Sequence, residues 1–167
     1  MRKYVFAATL ALSGALLLAA CGQQENGEQQ AVVAPKEVSK PADLNDKQGW
    51  NAYLGQLVQQ NLEGMTVDRP YAYMIPVGDG DQVKGERLRQ LNAVQDTVAR
   101  CVLPGNLLAF AGPGSTTTAE LVVEAFKHAQ PGSFKGVIVL FVGDEADQEH
   151  VNKALATSGA TFRFVKM

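Results

Sequence analysis

Two hydrophobic periodicities alternate along the chain between Trp50 and Lys166, and this alternation constrains the fold more than any other feature. Stretches with apolar residues three or four positions apart are typical of amphipathic helices, and short runs of consecutive apolar residues are typical of buried strands. The order is one helix, then three strand–helix pairs, then a final strand. It predicts an α/β fold, a small three-layer sandwich in which helices cover a mainly parallel four-stranded sheet.

The same patterns give approximate bounds for each element. The helices are predicted at about residues 46–63, where the apolar stripe runs from Trp50 to Leu62, and at about 84–100, 117–129 and 144–157. The strands are predicted at about residues 71–77, 107–111, 136–142 and 161–166. Asn45 or Asp46 is expected to cap the first helix, and Leu88 is expected to face the core from the second.

The character of the individual strands predicts their places in the sheet. The run 136–142 is the most apolar one after residue 20, which predicts a central strand covered on both faces. The last strand alternates instead, with Phe162 and Phe164 on one side and Arg163 on the other, as expected of an edge strand. We expect a flavodoxin-like or Rossmann-like arrangement with the strand order 2-1-3-4, in which the second strand is outermost.

A basic and then apolar segment begins the chain. Arg2 and Lys3 precede an uncharged, apolar run over residues 4–20, and small residues end that run. This order is typical of a secretory signal peptide. A membrane-spanning helix needs about 20 apolar residues, and here a polar segment begins at Gly22 with no stop-transfer charges. Residues 1–20 are therefore predicted to be a cleaved signal peptide.

The segment Leu18-Ala19-Ala20-Cys21 resembles the lipobox of bacterial lipoprotein precursors. The resemblance implies that the Cys21 thiol receives a diacylglycerol, that cleavage occurs before Cys21, and that the new amino group is acylated by a fatty acid such as palmitate. More than one acyl chain holds a protein stably on a membrane. In that family an aspartate directly after the cysteine favours the inner membrane. Because Gly22 occupies this position, the resemblance implies the periplasmic face of the outer membrane.

A polar segment separates the predicted anchor from the predicted domain. Residues 21–46 contain only one short apolar island, at 31–34, so they are predicted to form a flexible tether. The globular α/β domain is predicted at 47–167. Without Arg2 and Lys3 the chain has 13 basic against 17 acidic side chains, a formal charge of −4. This balance argues against a protein that coats nucleic acid.

The chain has two cysteines, which are too few for a disulfide scaffold or a four-cysteine zinc site. If Cys21 carries lipid, Cys101 has no partner within the chain. Its neighbours Val98, Val102 and Leu103 are apolar, and no activating base is close in the sequence. Cys101 is therefore expected to be a small buried side chain and not a nucleophile.

Three loops are candidates for ligand binding, because ligands of open α/β sheets lie beyond the carboxyl ends of the strands. They are residues 78–81, 112–118 and 143–147. The middle loop combines glycines, which allow backbone amides to approach a ligand, with hydroxyl donors near a helix N-terminus. The alternative is that its hydroxyls cap the helix without any ligand. Its candidate residues are Gly112, Gly114, Ser115, Thr116 and Thr117.

The outer two loops are acidic, and their oxygen atoms are candidate ligands for Mg²⁺ or Ca²⁺. The alternative is that they are solvated carboxylates at helix N-termini, where the helix dipole favours them. The residues concerned are Asp79, Asp81, Asp144 and Asp147. No spacing matches a known metal motif, so no metal and no cofactor are predicted, and His128 and His150 are expected to be exposed or boundary residues on helices.

The function favoured by these patterns is a binding or protein-interaction module on the membrane, with an envelope protein or a small ligand as partner. A tether gives such a domain reach while it keeps the domain local. No catalytic set of residues is recognisable, so the catalytic residues of any activity are unknown. The alternative is an envelope hydrolase that uses the loop 112–118.

Replacing Cys21 with Ser tests the predicted anchor. We expect the Cys21→Ser protein to lose metabolic labelling by radioactive palmitate and to leave the outer-membrane fraction, because the lipidated atom is gone. Cys101→Ser is the matched control and should fractionate with the unaltered protein. Unchanged labelling and fractionation of Cys21→Ser would rule out this anchor.

Overall fold

The helices and strands alternate in the structure as the sequence predicts. This computed structural model describes residues 37–167, so the signal peptide, Cys21 and residues 21–36 of the predicted tether lie outside the described residues. The helices are α1 (Lys47–Gln59), α2 (Asp81–Ala99), α3 (Ser115–Phe126) and α4 (Glu145–Leu155), with a 3₁₀ turn at Ala156–Ser158. The strands are β1 (Tyr71–Met74), β2 (Leu107–Ala111), β3 (Ile138–Gly143) and β4 (Thr161–Lys166). None of the helices in this part of the chain is both long and apolar enough to cross a membrane.

All four strands are parallel, and they lie in the order β1-β2-β3-β4. The expected order 2-1-3-4 is therefore wrong, although the predicted sandwich and parallel sheet are confirmed. Each crossover connects neighbouring strands and moves in the same direction across the sheet. Because such crossovers are right-handed, α2, α3 and α4 all fall on one face. The strand order never reverses, so the crevice that a reversal creates in flavodoxin-like folds is not formed here.

Hydrophobic side chains fill both sides of the sheet, and β2 and β3 are buried along their whole length. This confirms that the run 136–142 contains a central strand, and β4 lies at an edge as predicted. On one face, Phe110 and Phe141 pack with the apolar residues of α2, α3 and α4. On the other face, Trp50 and Leu54 of α1 pack over Ala109 and Leu140. The alternation of side chains along β2 and β3 thus supplies both cores.

The residues just before α1, from Val38 to Asp46, form hydrogen bonds with that helix. Asp46 caps the helix, as predicted, by accepting a hydrogen bond from the Gly49 amide at 2.9 Å. The Trp50 indole donates to the Asp43 carbonyl at 3.0 Å, and the Val38 amide donates to the Gln56 side chain at 2.8 Å. These contacts hold the preceding segment against α1. The described residues belong to one compact unit, Glu37–Met167.

Helix α2 buries only Val94 and Val98, both in its C-terminal half. Leu88 is 57% exposed, so the expectation that it faces the core is wrong. The reason is length, because a 19-residue helix extends about 28 Å whereas a four-residue strand extends about 13 Å. The first turns of α2 therefore run beyond the strand that α2 covers.

Cys101 is exposed, so the expectation of a buried thiol is also wrong. It follows the last residues of α2 with φ +58°, the left-handed conformation in which a helix often ends. Reversal of the chain at this point turns the side chain away from the core that Val98 and Val102 enter. Glycine is the usual residue in this conformation, because a Cβ atom is strained there.

Replacing Cys101 with Gly tests this strain. We expect Cys101→Gly to raise the free energy of unfolding by about 1 kcal/mol, because the left-handed conformation no longer carries a Cβ atom. The measurement is urea unfolding under reducing conditions. Cys101→Ala keeps the Cβ atom and serves as the control, with little or no gain expected. An equal gain in both variants would assign the effect to the thiol and not to the backbone.

Candidate functional site

The middle candidate loop is bound to its neighbour through Ser115, the first residue of α3. The buried Ser115 hydroxyl donates to the Asp147 carboxylate at 2.5 Å and accepts from the Asp144 amide at 2.7 Å. The exposed Thr116 hydroxyl also donates to Asp147, at 3.3 Å. The structure therefore brings together Ser115, Thr116, Asp144 and Asp147, which the sequence placed in two separate candidate sites. Together they form a link between the start of α3 and the start of α4.

The two glycines of this loop serve close packing between segments of the chain. A Cβ atom on Gly112 would lie 2.5 Å from the Ile75 carbonyl oxygen and 2.6 Å from the Thr118 hydroxyl. A Cβ atom on Gly114 would lie 2.9 Å from a methyl group of Val77. Close packing between segments therefore accounts for both glycines, because protein atoms occupy the position that a Cβ atom would take at each of them.

Helix α3 begins without a side-chain cap, so the alternative that its Ser or Thr residues cap it is wrong. The N-cap residue is Gly114, whose carbonyl accepts from the Thr118 hydroxyl at 2.9 Å. Thr117 faces a shallow groove between α2 and α3, where Asp79 also lies. The Ser115 and Thr116 hydroxyls therefore share the Asp147 carboxylate, whereas Thr117 and Thr118 face other parts of the structure.

An exposed ion pair joins the start of α4 to the end of β4. The Lys166 ammonium donates to the Glu145 carboxylate at 2.8 Å. This hydrogen bond, with the attraction between the charges, lowers the pKa of Glu145 and raises the pKa of Lys166. Ionised Glu145 therefore stabilises the folded state at pH values above the pKa that Glu145 has in the unfolded chain. This stabilisation is lost as the pH falls through the lowered pKa of the folded state. Because both side chains are exposed, solvent screens the pair.

The acidic candidates do not assemble into a metal site. Among residues 37–167, no group of three or more His, Cys, Asp or Glu side chains is placed to hold a metal ion. Asp147 is occupied by two hydroxyl donors, and Asp81 is an exposed residue of the first turn of α2. His128 and His150 are both exposed, as expected, but only His150 lies on a helix, because α3 ends before His128.

A different site lies along the free edge of β1, in a groove of about 470 Å³ between α1 and α2. We call it the β1-edge groove. Its floor and walls are largely apolar, and Trp50 at its base is only 2% exposed. The apolar lining residues are Leu44, Trp50, Met74, Ile75, Pro76, Val77, Val83, Ala93 and Pro113. Its polar lining residues are Asn45, Lys47, Asn51, Glu86, Arg89 and Gln90.

Backbone groups of β1 face this groove. Within the described chain β1 pairs with β2 alone, and the Ile75 amide beyond its end donates to Ala111 at 2.8 Å. In a parallel strand the backbone groups of successive residues face opposite sides. The N–H and C=O of Met74 therefore face outward. The next outward carbonyl, that of Pro76, accepts from Arg87 at 3.0 Å.

The rim of the groove carries one cation on each wall. Lys47 lies on α1 and Arg89 lies on α2, and both side chains are exposed. The four ion pairs found among residues 37–167 include neither of them. Glu86, the one acidic residue of the rim, accepts from the Gln82 side chain at 3.3 Å. The groove thus combines apolar walls, an unpaired strand edge and two cations.

Reasoning from the sequence missed the β1-edge groove because its residues come from four separate segments, around residues 44–51, 74–77 and 83–93 and at Pro113. The one local signal was a short strand bracketed by Pro70 and Pro76, which is typical of a sheet edge. The exposed Leu44, at 53%, becomes informative only when its place beside Trp50 is known.

Comparison of the chain with protein-family models, with curated proteins and with solved structures finds no match. The candidate sites rest on the residues and their geometry alone.

Removing the Ser115 hydroxyl tests whether the middle loop is a structural link. We expect Ser115→Ala to lower the free energy of unfolding by about 2 kcal/mol, because a buried hydrogen bond to a carboxylate is lost. Thr116→Ala, which removes a longer and exposed bond to the same Asp147, is the control and should cost less than about 0.5 kcal/mol. Urea unfolding measures both, and equal small losses would contradict the link.

Proposed function

We propose that this protein is a lipid-anchored lipoprotein on the periplasmic face of the outer membrane, and that it acts as a binding module for an envelope protein or a small ligand. The observation that carries the binding role is the β1-edge groove. Its volume of about 470 Å³ is within the range of ligand sites, and a mainly apolar lining with a few polar groups is typical of them. Its Met74 backbone groups and two rim cations add directional contacts.

The anchor is supported by the lipobox resemblance at Cys21 and by the polar segment that follows it. Fifteen residues, 22–36, lie between the predicted lipid-bearing Cys21 and the compact unit, and the chain from Cys21 to Glu37 spans at most about 55 Å when fully extended. A domain held at such a distance meets partners in its own membrane at a high effective concentration.

The hydrogen bonds of the middle loop favour the binding role over the hydrolase alternative. A serine nucleophile needs an adjacent base, which is most often a histidine. Ser115 is buried, and its hydroxyl donates to the Asp147 carboxylate and not to a histidine. The flanking glycines are packed against Ile75 and Val77, just after β1. No observation on this loop points to a substrate.

Site-specific photocrosslinking tests the proposed site in the full lipidated chain. A photoreactive phenylalanine replaces Asn51, which lies exposed on the α1 wall of the groove, or Asn152, which lies exposed on α4. We expect illumination of the source bacterium to give a discrete adduct from position 51 and none from position 152. Ala93→Phe, which fills the groove from α2, should reduce that adduct at least about tenfold.

The control for Ala93→Phe is Ala99→Phe, which makes the same change at another exposed position of α2 outside the groove. It should leave the adduct unchanged. Equal adducts from positions 51 and 152, no adduct from position 51, or an adduct that Ala93→Phe does not affect would each contradict the proposed site.

A further inference from the structure

We propose that the occupant of the β1-edge groove is an extended, acidic peptide segment of a partner protein, which pairs with β1 as a fifth strand of the sheet. This inference rests on the proposed binding function and specifies the chemical class of the partner. Its three supports are the unpaired backbone of β1, the apolar walls on both sides of it, and the two cations of the rim.

The backbone of β1 limits how such a segment pairs. By the same alternation that turns Met74 outward, the N–H and C=O of Ala72 also face away from β2. On either side, Pro70 and Pro76 have no N–H to donate, and the Pro76 carbonyl is already engaged by Arg87. The free edge therefore offers only two N–H donors, those of Ala72 and Met74. This length suits a short peptide and does not suit open-ended growth of the sheet.

The walls of the groove provide contacts for both sides of an added strand. Side chains of a strand alternate between its two faces. In this groove one set would meet Trp50 and Leu44 on the side of α1, and the other set would meet Val83 and Ala93 on the side of α2. Apolar or β-branched residues at successive positions of the peptide would bury surface on both walls.

The charges of the rim favour an acidic peptide. Residues 37–167 carry 12 basic and 15 acidic side chains, so the unit as a whole is acidic. The formal charge of the groove lining is positive, because it contains two cations, Lys47 and Arg89, and one carboxylate, Glu86. Glu86 also accepts a hydrogen bond from Gln82. One cation lies on each wall, so acidic side chains on either face of the added strand can pair with a cation. Attraction of this kind selects acidic over basic partners.

The test uses the chain from Gly22 onward, which keeps the whole compact unit Glu37–Met167 with both of its hydrophobic cores. The probe is the blocked peptide acetyl-Glu-Val-Thr-Val-Glu-amide, titrated into the ¹⁵N-labelled protein and followed by NMR. We expect saturable binding with a Kd of about 1 mM or tighter, and shifts centred on Ala72, Met74 and the Trp50 indole. The analogue with Lys in place of both Glu residues should bind at least about fivefold more weakly.

Two further analogues test the strand geometry. One carries an N-methyl group on Thr, and the other carries N-methyl groups on both Val residues. Only alternate amides of an added strand donate to β1, so one analogue should lose binding at least about tenfold and the other should retain it. Equal behaviour of the two analogues would overturn pairing with the strand edge.

Variants of the protein test whether the rim cations contribute to peptide binding and whether the peptide binds in the β1-edge groove. Because both Glu residues of the peptide lie on the same face of the added strand, they meet one wall, so one of Lys47→Gln and Arg89→Gln should weaken the acidic peptide about two- to fivefold. Lys153→Gln on α4 is the matched control with no effect. Ala93→Phe should abolish the shifts, and Ala99→Phe should not. Absence of binding by the acidic peptide, or no effect of the rim variants, would overturn the inference. The photocrosslinking adduct at position 51 tests the binding function separately. If that adduct forms but the acidic peptide does not bind, the acidic-peptide inference is overturned and the binding function is not.

Discussion

The single direction in which the chain crosses the sheet governs the rest of the structure. Right-handed crossovers from β1 to β2, β3 and β4 place α2, α3 and α4 on one face. The other face then depends on α1, whose Trp50, Leu54 and Val58 form the second core with the inner strands. The hydrophobic burial of β2 and β3 is complete only because both layers are present.

This topology also explains why the loops at the carboxyl edge do not form a ligand crevice. In a sheet whose strand order reverses, the crossovers diverge and leave a space between neighbouring loops. Here the loops after β2 and β3 follow each other on the same side, and α3 and α4 start side by side. Ser115 and Asp147 bond across that short gap, and Gly112 packs directly on the Ile75 carbonyl. Residues that resemble a ligand loop in sequence therefore stabilise the edge of the fold.

The same topology leaves β1 as an edge that helices flank but do not cover. Helix α1 approaches it from one face and α2 from the other, and α2 extends well past the short strand. The β1-edge groove lies between them, where backbone groups of Met74, the Trp50 side chain and the cations of the rim converge. An edge of this kind is a hazard for aggregation unless it is short or blocked, and Pro70 and Pro76 make it short. The groove is thus compatible with a specific short partner.

The sequence by itself determined the secondary structure, since helical and strand periodicity are local properties of the chain. The bounds of β2 and β4 and the capping role of Asp46 agree with it. Among the candidate site residues, the sequence singled out Ser115 and Asp147 but did not predict the hydrogen bond between them. The sequence did not predict the β1-edge groove. Strand order, the exposure of Leu88 and Cys101, and the convergence of Trp50, Met74 and Arg89 were decided only by the tertiary structure. The physical reason is that periodicity identifies which side of an element is apolar, whereas the neighbour that covers this side depends on contacts between residues far apart in the chain.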